Sequence, residues 1–260
     1  MKMLFIVPVH ENNECLWDTL NNITKYNPDI EPLFAVYVSD FFRDFDEAGL
    51  LERFPNALVT RRLRQHFNYR YESQIESLIK TYRIAREHFK EFDYAMVFHT
   101  SQLFVRQGFA DYIKNFDYAY TDYVAEPKLP NRYHALIWNK VFINYFPDIG
   151  DQENYEYCVV ESMFFKKTVL DWIEMQFNKL PFDLSVFTRE FAHTPVEEIV
   201  IPTLAAQAQK QLGLERSEGI LHFHGPIETM PEELQPSHFT IKSVPRALDH
   251  PLRIFARHQF

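Results

Sequence analysis

The sequence predicts an α/β protein with a mostly parallel central sheet flanked by helices, and three stretches carry that prediction. One is Tyr94–Phe98, an unbroken apolar run closed abruptly by the polar His99-Thr100-Ser101-Gln102. Apolar on both faces rather than alternating, it reads as a strand covered by helices on either side. The opening of the chain is the second: an apolar run over Met3–Val9, a helical pattern over Glu14–Ile23 and another apolar run over Leu33–Val38, the order of a βαβ unit. The third is Ser73–Phe89, where Ile75, Leu78, Ile79, Tyr82, Ile84 and Ala85 are read as an apolar stripe on a helix that leads into Tyr94–Phe98. In open α/β sheets ligands lie beyond the carboxyl ends of the strands, so His99–Gln102 mark the place to look for function.

Each element follows from local chemistry. Met3–Val9 runs into Pro8-Val9-His10-Glu11-Asn12-Asn13, a strand end followed by a polar turn. Leu16, Trp17, Leu20 and Ile23 recur at helical spacing until Asn27-Pro28 stops the helix. The second strand ends at Ser39-Asp40, where Asp40 is either a helix or turn cap or a contact to a ribose or base. Leu58–Thr60 is a short third strand, and the four arginines between 61 and 70 form either a solvated charge run or an anion site. After the central strand Gly108 turns the chain, and 126–133 is irregular. A helix is expected over 135–146, a polar loop over 148–157, a strand over Tyr157–Phe165, and a helix from about Lys167. His193-Thr194-Pro195-Val196-Glu197-Glu198 is a helix start: Thr194 caps, Pro195 takes the first position and Glu197 completes a capping box. Glu198 then faces elsewhere and is the freer acid for chemistry, with Glu197 the alternative. Leu221–Gly225 reads as an edge strand, and Lys242, Arg246, Arg253 and Arg257 make a basic tail suited to an anion.

Composition narrows the function. A chain of 260 residues that is 46% hydrophobic suits one domain over 1–260. With 25 Phe and 14 Tyr but only 6 Gly, aromatic surfaces are plentiful and neither a P-loop nor a dinucleotide fingerprint occurs. A net charge of −9 argues against nucleic-acid binding. Cys15 and Cys158 match no zinc or disulfide framework, and the apolar start is too short for a signal peptide or a membrane span. The expectation is a soluble cytoplasmic protein, with peripheral membrane association left open.

In this order of motifs the chain resembles glycosyltransferases of the GT-A fold. Phe5-Ile6-Val7-Pro8-Val9-His10-Glu11-Asn12-Asn13 looks like their first strand and nucleotide loop. Within that fold it is most similar to the core-2/I-branching N-acetylglucosaminyltransferase and xylosyltransferase family. The family's arginine, helix and strand ending in a Ser-Gly-x-Asp-like turn resemble Arg64 through Ser101-Gln102-Leu103-Phe104. Its Ser-Pro, acidic pair and following threonine look like Thr194-Pro195-Val196-Glu197-Glu198 and Thr203. The departures are Ser101-Gln102 in place of a more acidic turn, Glu161-Ser162-Met163-Phe164 in place of Gly-Ser-x-Trp, and the missing family cysteines.

The resemblance implies an inverting transfer of a sugar from a nucleotide-diphosphate donor, a UDP-sugar, to a hydroxyl of a glycan or glycolipid. Glu198, or Glu197, would take the acceptor's proton. Pro8, Val9, His10, Asp40, Arg64, Ser101, Gln102, Lys242 and Arg246 would line the donor, and Glu161, Ser162 and Met163 the acceptor side. Most GT-A enzymes hold a divalent cation with Asp-x-Asp at the strand end occupied here by His99-Thr100-Ser101-Gln102. The family resembled dispenses with the metal by using basic side chains near the C-terminus, so no metal or other cofactor is expected. The rival reading is a non-catalytic carbohydrate- or nucleotide-sugar-binding protein on the same fold, using aromatic faces to stack on sugars.

Overall fold

The computed structural model describes residues 1–39, 41–61, 72–122, 156, 158–179, 197–222 and 229–259. Asp40, Arg64, the expected helix at 135–146 and the Thr194-Pro195 helix start lie outside the described residues. The strands are β1 (Lys2–Val9), β2 (Glu31–Val38), β3 (Ala57–Arg61), β4 (Tyr94–Val97), β5 (Leu103–Phe104), β6 (Tyr118–Asp122), β7 (Cys158–Lys166), β8 (Arg216–Ser217), β9 (Leu221–His222) and β10 (Thr240–Ile241). The helices are α1 (Asn13–Tyr26), α2 (Glu47–Arg53), α3 (Glu72–Phe89), α4 (Phe109–Ile113), α5 (Lys167–Lys179), α6 (Glu197–Leu212) and α7 (Pro251–His258).

Seven strands form one sheet in the order β3-β2-β1-β4-β7-β6-β8. The first four run parallel, as the opening βαβ pattern requires, whereas β7 lies antiparallel to both β4 and β6, which makes the sheet mixed. Along β1 the side chains alternate between two apolar layers. Leu4 and Ile6 enter the layer that holds residues of α3, α5 and α6, while Met3, Phe5 and Val7 enter the one built with α1, α2 and α7. Both faces are covered, which is why β1 and β4 read as continuous apolar runs. Ile84, read on the apolar stripe of α3, is exposed.

Many of the aromatic residues belong to this core. The ring of Phe5 meets those of Phe34, Phe98 and Phe104, and Phe98 stacks on Phe104 with centroids 5.1 Å apart. Phe41, 83% exposed, is the one aromatic among the exposed large hydrophobics of the described residues. Among the described residues, the aromatic side chains serve mainly as packing rather than as open stacking surfaces.

A smaller sheet, β5-β10-β9, is held against the first by hydrogen bonds from several segments. Asn22, buried on α1, donates to the Phe104 carbonyl at 3.0 Å and accepts from its amide at 2.7 Å, so a side chain supplies the partner a further strand would. The chain leaving β10 then crosses the ends of the main sheet: the Val244 amide donates to the Ser101 carbonyl at 3.0 Å.

α7 closes the fold through Arg253, whose side chain is fully buried. Its guanidinium donates to the Pro245 carbonyl (2.7 Å), the Thr100 carbonyl (2.5 Å) and Asp18 on α1 (2.7 Å). Arg257 pairs with the same Asp18 at 3.1 Å but is 42% exposed. Two of the four tail cations expected to meet an anion are therefore engaged by Asp18. Arg253→Ala takes the donor from the Pro245 carbonyl, leaves the Thr100 carbonyl only the Cys15 thiol and leaves Asp18 only the half-exposed Arg257, and should cost about 3 kcal/mol. Arg257→Ala should cost no more than about 1 kcal/mol. Urea unfolding of both variants checks this, and equal losses would show that burial does not decide the strength of the pair.

Candidate functional site

The carboxyl ends of β1 and β4 open side by side, and four segments converge on them. After β1 come His10, Glu11 and Asn12. After β4 come His99, Thr100, Ser101 and Gln102. Because β7 runs antiparallel, with Phe164 opposite Met96, its residues Glu161 and Ser162 lie beyond the end of β4. The fourth segment leaves β10 and carries Lys242 and Arg246.

Backbone strain gathers here. Among the described residues four non-glycine residues have positive φ, and three of them, Asn12 (67°), Ser162 (65°) and Ser243 (65°), lie in these segments. Asn12 caps α1, its side chain accepting from the Cys15 amide at 2.9 Å. Ser162 sits where the pairing of β7 with β6 shifts register, between Val159 opposite Thr121 and Phe164 opposite Ala119. A bulge of this kind re-aims the side chains around it. The Ser162 hydroxyl is fixed by the Gln102 amide group at 2.6 Å and by Thr240 at 2.7 Å, which ties β7 to both the β4 turn and β10.

That bulge aims Glu161 at two groups. Its Oε1 lies 2.7 Å from the Lys242 ammonium and 3.6 Å from His99 Nδ1, and all three side chains are less than one-fifth exposed. Its Oε2 is buried without a hydrogen-bond partner. Burial pushes His99 down to about 4, with Lys242, His10 and Arg246 adding to the effect and Glu161 opposing it. Burial works against ionisation of Glu161 as well, but the His99 ring and the Lys242 ammonium outweigh it and hold the carboxyl below its usual value. Near neutral pH the cluster is a neutral imidazole, a carboxylate and an ammonium.

Arg246 lies at the outer side of the same opening. It donates to Thr100 Oγ1 at 3.1 Å and to Glu11 at 3.0 Å, with His10 Nε2 at 3.5 Å. Both cations expected at the donor's diphosphate therefore stand at the strand ends, each against a carboxylate.

The remaining expected site residues divide by burial. Pro8 and Val9 are buried at the end of β1, and Met163 is buried in the core. Ser101 is partly exposed. Gln102 is fully buried, and its amide is occupied inside the protein, accepting from the His99 amide at 2.6 Å while donating to Ser162. Of the two acids that open α6, Glu198 is partly exposed, whereas Glu197 is 3% exposed with Oε2 unpartnered. Burial raises Glu197 well above the usual carboxylate value, and the nearby charges of Glu198 and Glu161 push the same way. Sequence reasoning ranks Glu197 second to Glu198 because it can serve as a cap, and it does not single out Asp18 or Asn22. The one available signal for Asn22 was a polar residue on the apolar stripe of α1.

Among the described residues no three His, Cys, Asp or Glu side chains are grouped so as to hold a metal ion, and no helix is long and apolar enough to cross a membrane. No protein-family model matches the chain, and no curated protein matches it at a significant level.

The acid limb of stability should carry the mark of His99. Its folded value lies below the unfolded 6.5, so its contribution is fully present above that pH and is lost as pH falls through about 4. Glu161, also held low, acts in the same direction. We expect the unfolding free energy to drop by about 3 kcal/mol from His99 alone between pH 7 and 4. His99→Asn should flatten that slope in urea titrations at several pH values; an unchanged slope would mean that His99 takes up its proton in the folded protein as readily as in the unfolded chain.

Proposed function

We propose that this protein is a GT-A-type glycosyltransferase that moves a sugar, with inversion, from a nucleotide-diphosphate donor to a hydroxyl of a glycan or glycolipid, without a metal ion. A UDP-sugar is the donor we favour. The observation that carries this reading is the delivery of Lys242 and Arg246 to the carboxyl ends of β1 and β4, both close enough to act electrostatically on His99. That edge is where a ligand lies in an α/β sheet, and neighbouring ammonium and guanidinium groups clamp phosphoryl oxygens with charge-assisted bonds. The parallel half of the sheet supports a nucleotide-sugar fold, and antiparallel β7 adds Glu161 and Ser162 on the side assigned to the acceptor.

In this mechanism the acceptor hydroxyl attacks the anomeric carbon directly while a carboxylate takes its proton. Lys242 and Arg246 stabilise the charge that develops on the departing diphosphate. No covalent sugar intermediate is needed. Of the two acids at the start of α6 we assign the base to Glu197. Its carboxyl is buried at the start of α6 with one oxygen unpartnered, and burial raises its affinity for a proton above that of an ordinary carboxylate. A glycolipid acceptor would be met by peripheral association with a membrane surface.

Thermal-shift measurements with UDP, other nucleotides and nucleotide sugars, in EDTA, test the donor assignment. At 100 times its Kd a ligand adds about 2.7 kcal/mol of stability, so UDP should raise Tm in the presence of chelator. A shift that required Mn²⁺ or Mg²⁺ would overturn the metal-free mechanism. For the base, release of UDP from the donor in the presence of acceptor glycans should fall roughly 10²–10⁴-fold in Glu197→Gln and far less in Glu198→Gln. The reverse pattern would move the base by one residue. Nucleotide-sugar binding with no turnover on any acceptor would favour the binding-protein reading.

A further inference from the structure

Each cation that the proposed function gives to the donor's diphosphate already holds a carboxylate. Arg246 meets Glu11 at the surface, where Glu11 is 61% exposed and water screens the pair. Lys242 meets Glu161 in a different setting. Glu161 projects from the bulged part of β7, is 11% exposed, and lies 2.7 Å from the ammonium. Facing it are His99 from the end of β4 and, within electrostatic range, Glu197 from the first turn of α6. Its second oxygen is buried and makes no hydrogen bond. An acid held this way has its charge supported by the His99 ring and by the Lys242 ammonium, the one full charge among the described residues in direct contact with it.

We propose that Glu161 is an internal stand-in for the donor phosphate, and that Lys242 is a two-position switch which leaves Glu161 for the diphosphate when the donor binds. This inference rests on the glycosyltransferase reading and adds an order of events to it. A lysine suits the task, since its ammonium is a compact charge on a flexible stem with rotatable donors, unlike the fixed fork of an arginine. When the ammonium departs, Glu161 is left buried beside a neutral His99, a raised-pKa Glu197 and an arriving polyanion. It then binds a proton from solvent. Donor binding is thus coupled to proton uptake, and the protonated carboxyl becomes a hydrogen-bond donor on the acceptor side only after the donor is in place. By linkage, the contact with Glu161 weakens donor binding by whatever free energy is needed to break it.

The coupling makes an outcome expected of few site carboxylates: removing Glu161 should tighten binding of the donor's nucleotide. In calorimetry with UDP near pH 7, Glu161→Gln should bind about tenfold more tightly than wild type, the scale of a hydrogen bond between charged groups. Glu11→Gln should change affinity by no more than about threefold, as for an exposed pair. The number of protons taken up, read from the dependence of binding enthalpy on buffer ionisation enthalpy, should be larger for wild type than for Glu161→Gln. Protons belonging to UDP are common to both and cancel in the difference. Equal or weaker UDP affinity in Glu161→Gln together with identical proton counts would overturn the switch while leaving the nucleotide-binding reading intact. If the variant does not fold, the wild-type protein against Lys242→Met decides the matter, because a site without the ammonium should show no donor-linked change at Glu161 and a lower proton count. Equal counts in that pair would overturn the proposal. Absence of UDP and pyrophosphate binding to wild-type protein would overturn both the switch and the function it rests on.

Discussion

The ends of buried parallel strands impose a constraint that the rest of this molecule answers. A strand covered on both faces by helices releases its last backbone groups where neither a ladder partner nor bulk water is assured, and buried carbonyls need donors. After β4 the chain meets this need with its own C-terminal segment. Val244 donates to the Ser101 carbonyl, and Arg253 donates to the Thr100 carbonyl. The same guanidinium grips Pro245, one residue before Arg246, so the segment that satisfies the strand end also fixes the cation beside it. Asp18 neutralises Arg253 from below. Structural closure and assembly of the charged site are therefore one event.

The polar connections across the site follow from that arrangement. Gln102, Ser162 and Thr240 come from β4's turn, from β7 and from β10, and their hydrogen bonds form one buried path between the two sheets. A fully satisfied path of this sort fixes relative positions that apolar packing would leave loose. Positive φ at Asn12, Ser162 and Ser243 costs free energy at each, and the surrounding contacts hold all three in place. These hydrogen bonds frame the Glu161, Lys242 and His99 cluster, where one oxygen each of Glu161 and Glu197 is buried without a hydrogen-bond partner among the described residues.

Electrostatically the site is balanced without ligand. An inner carboxylate faces Lys242 and an outer one faces Arg246, so the cations are neither exposed to solvent as bare charge nor lost in the core. Burial decides how strongly each pair is felt. The inner pair lies in a medium where charges act strongly on one another, while the outer pair is screened. Under the proposed function a polyanion would enter such a site by exchange with these carboxylates rather than by attraction to an empty positive pocket.

Much of the backbone was legible because periodicity is a local property. The runs at Met3–Val9, Leu33–Val38 and Tyr94–Phe98, and the stripe over Ser73–Phe89, each state their own period, and the structure has β1, β2, β4 and α3 there. Strand direction beyond β4 was not legible, since an apolar run such as Cys158–Phe165 reads the same in a parallel or an antiparallel neighbour. The basic tail was visible as charge, but four cations alike in sequence took different fates: Asp18, more than 200 residues away, claims Arg253 and Arg257, while Lys242 and Arg246 reach the strand ends. For Glu197 and Glu198 the local rule of helix capping pointed to the second acid, yet packing of α6 buried the first. Sequence by itself determined the strands β1, β2, β3, β4 and β7 and the helices α1, α3 and α5, because those are contests settled among neighbours in the chain, while α2, β5, β6, β8, β10 and the helix α7 within the basic tail emerge only in the structure. Only tertiary structure decided which carboxylate each cation meets and which acid loses its water, because desolvation and ion pairing depend on residues brought close from far along the chain.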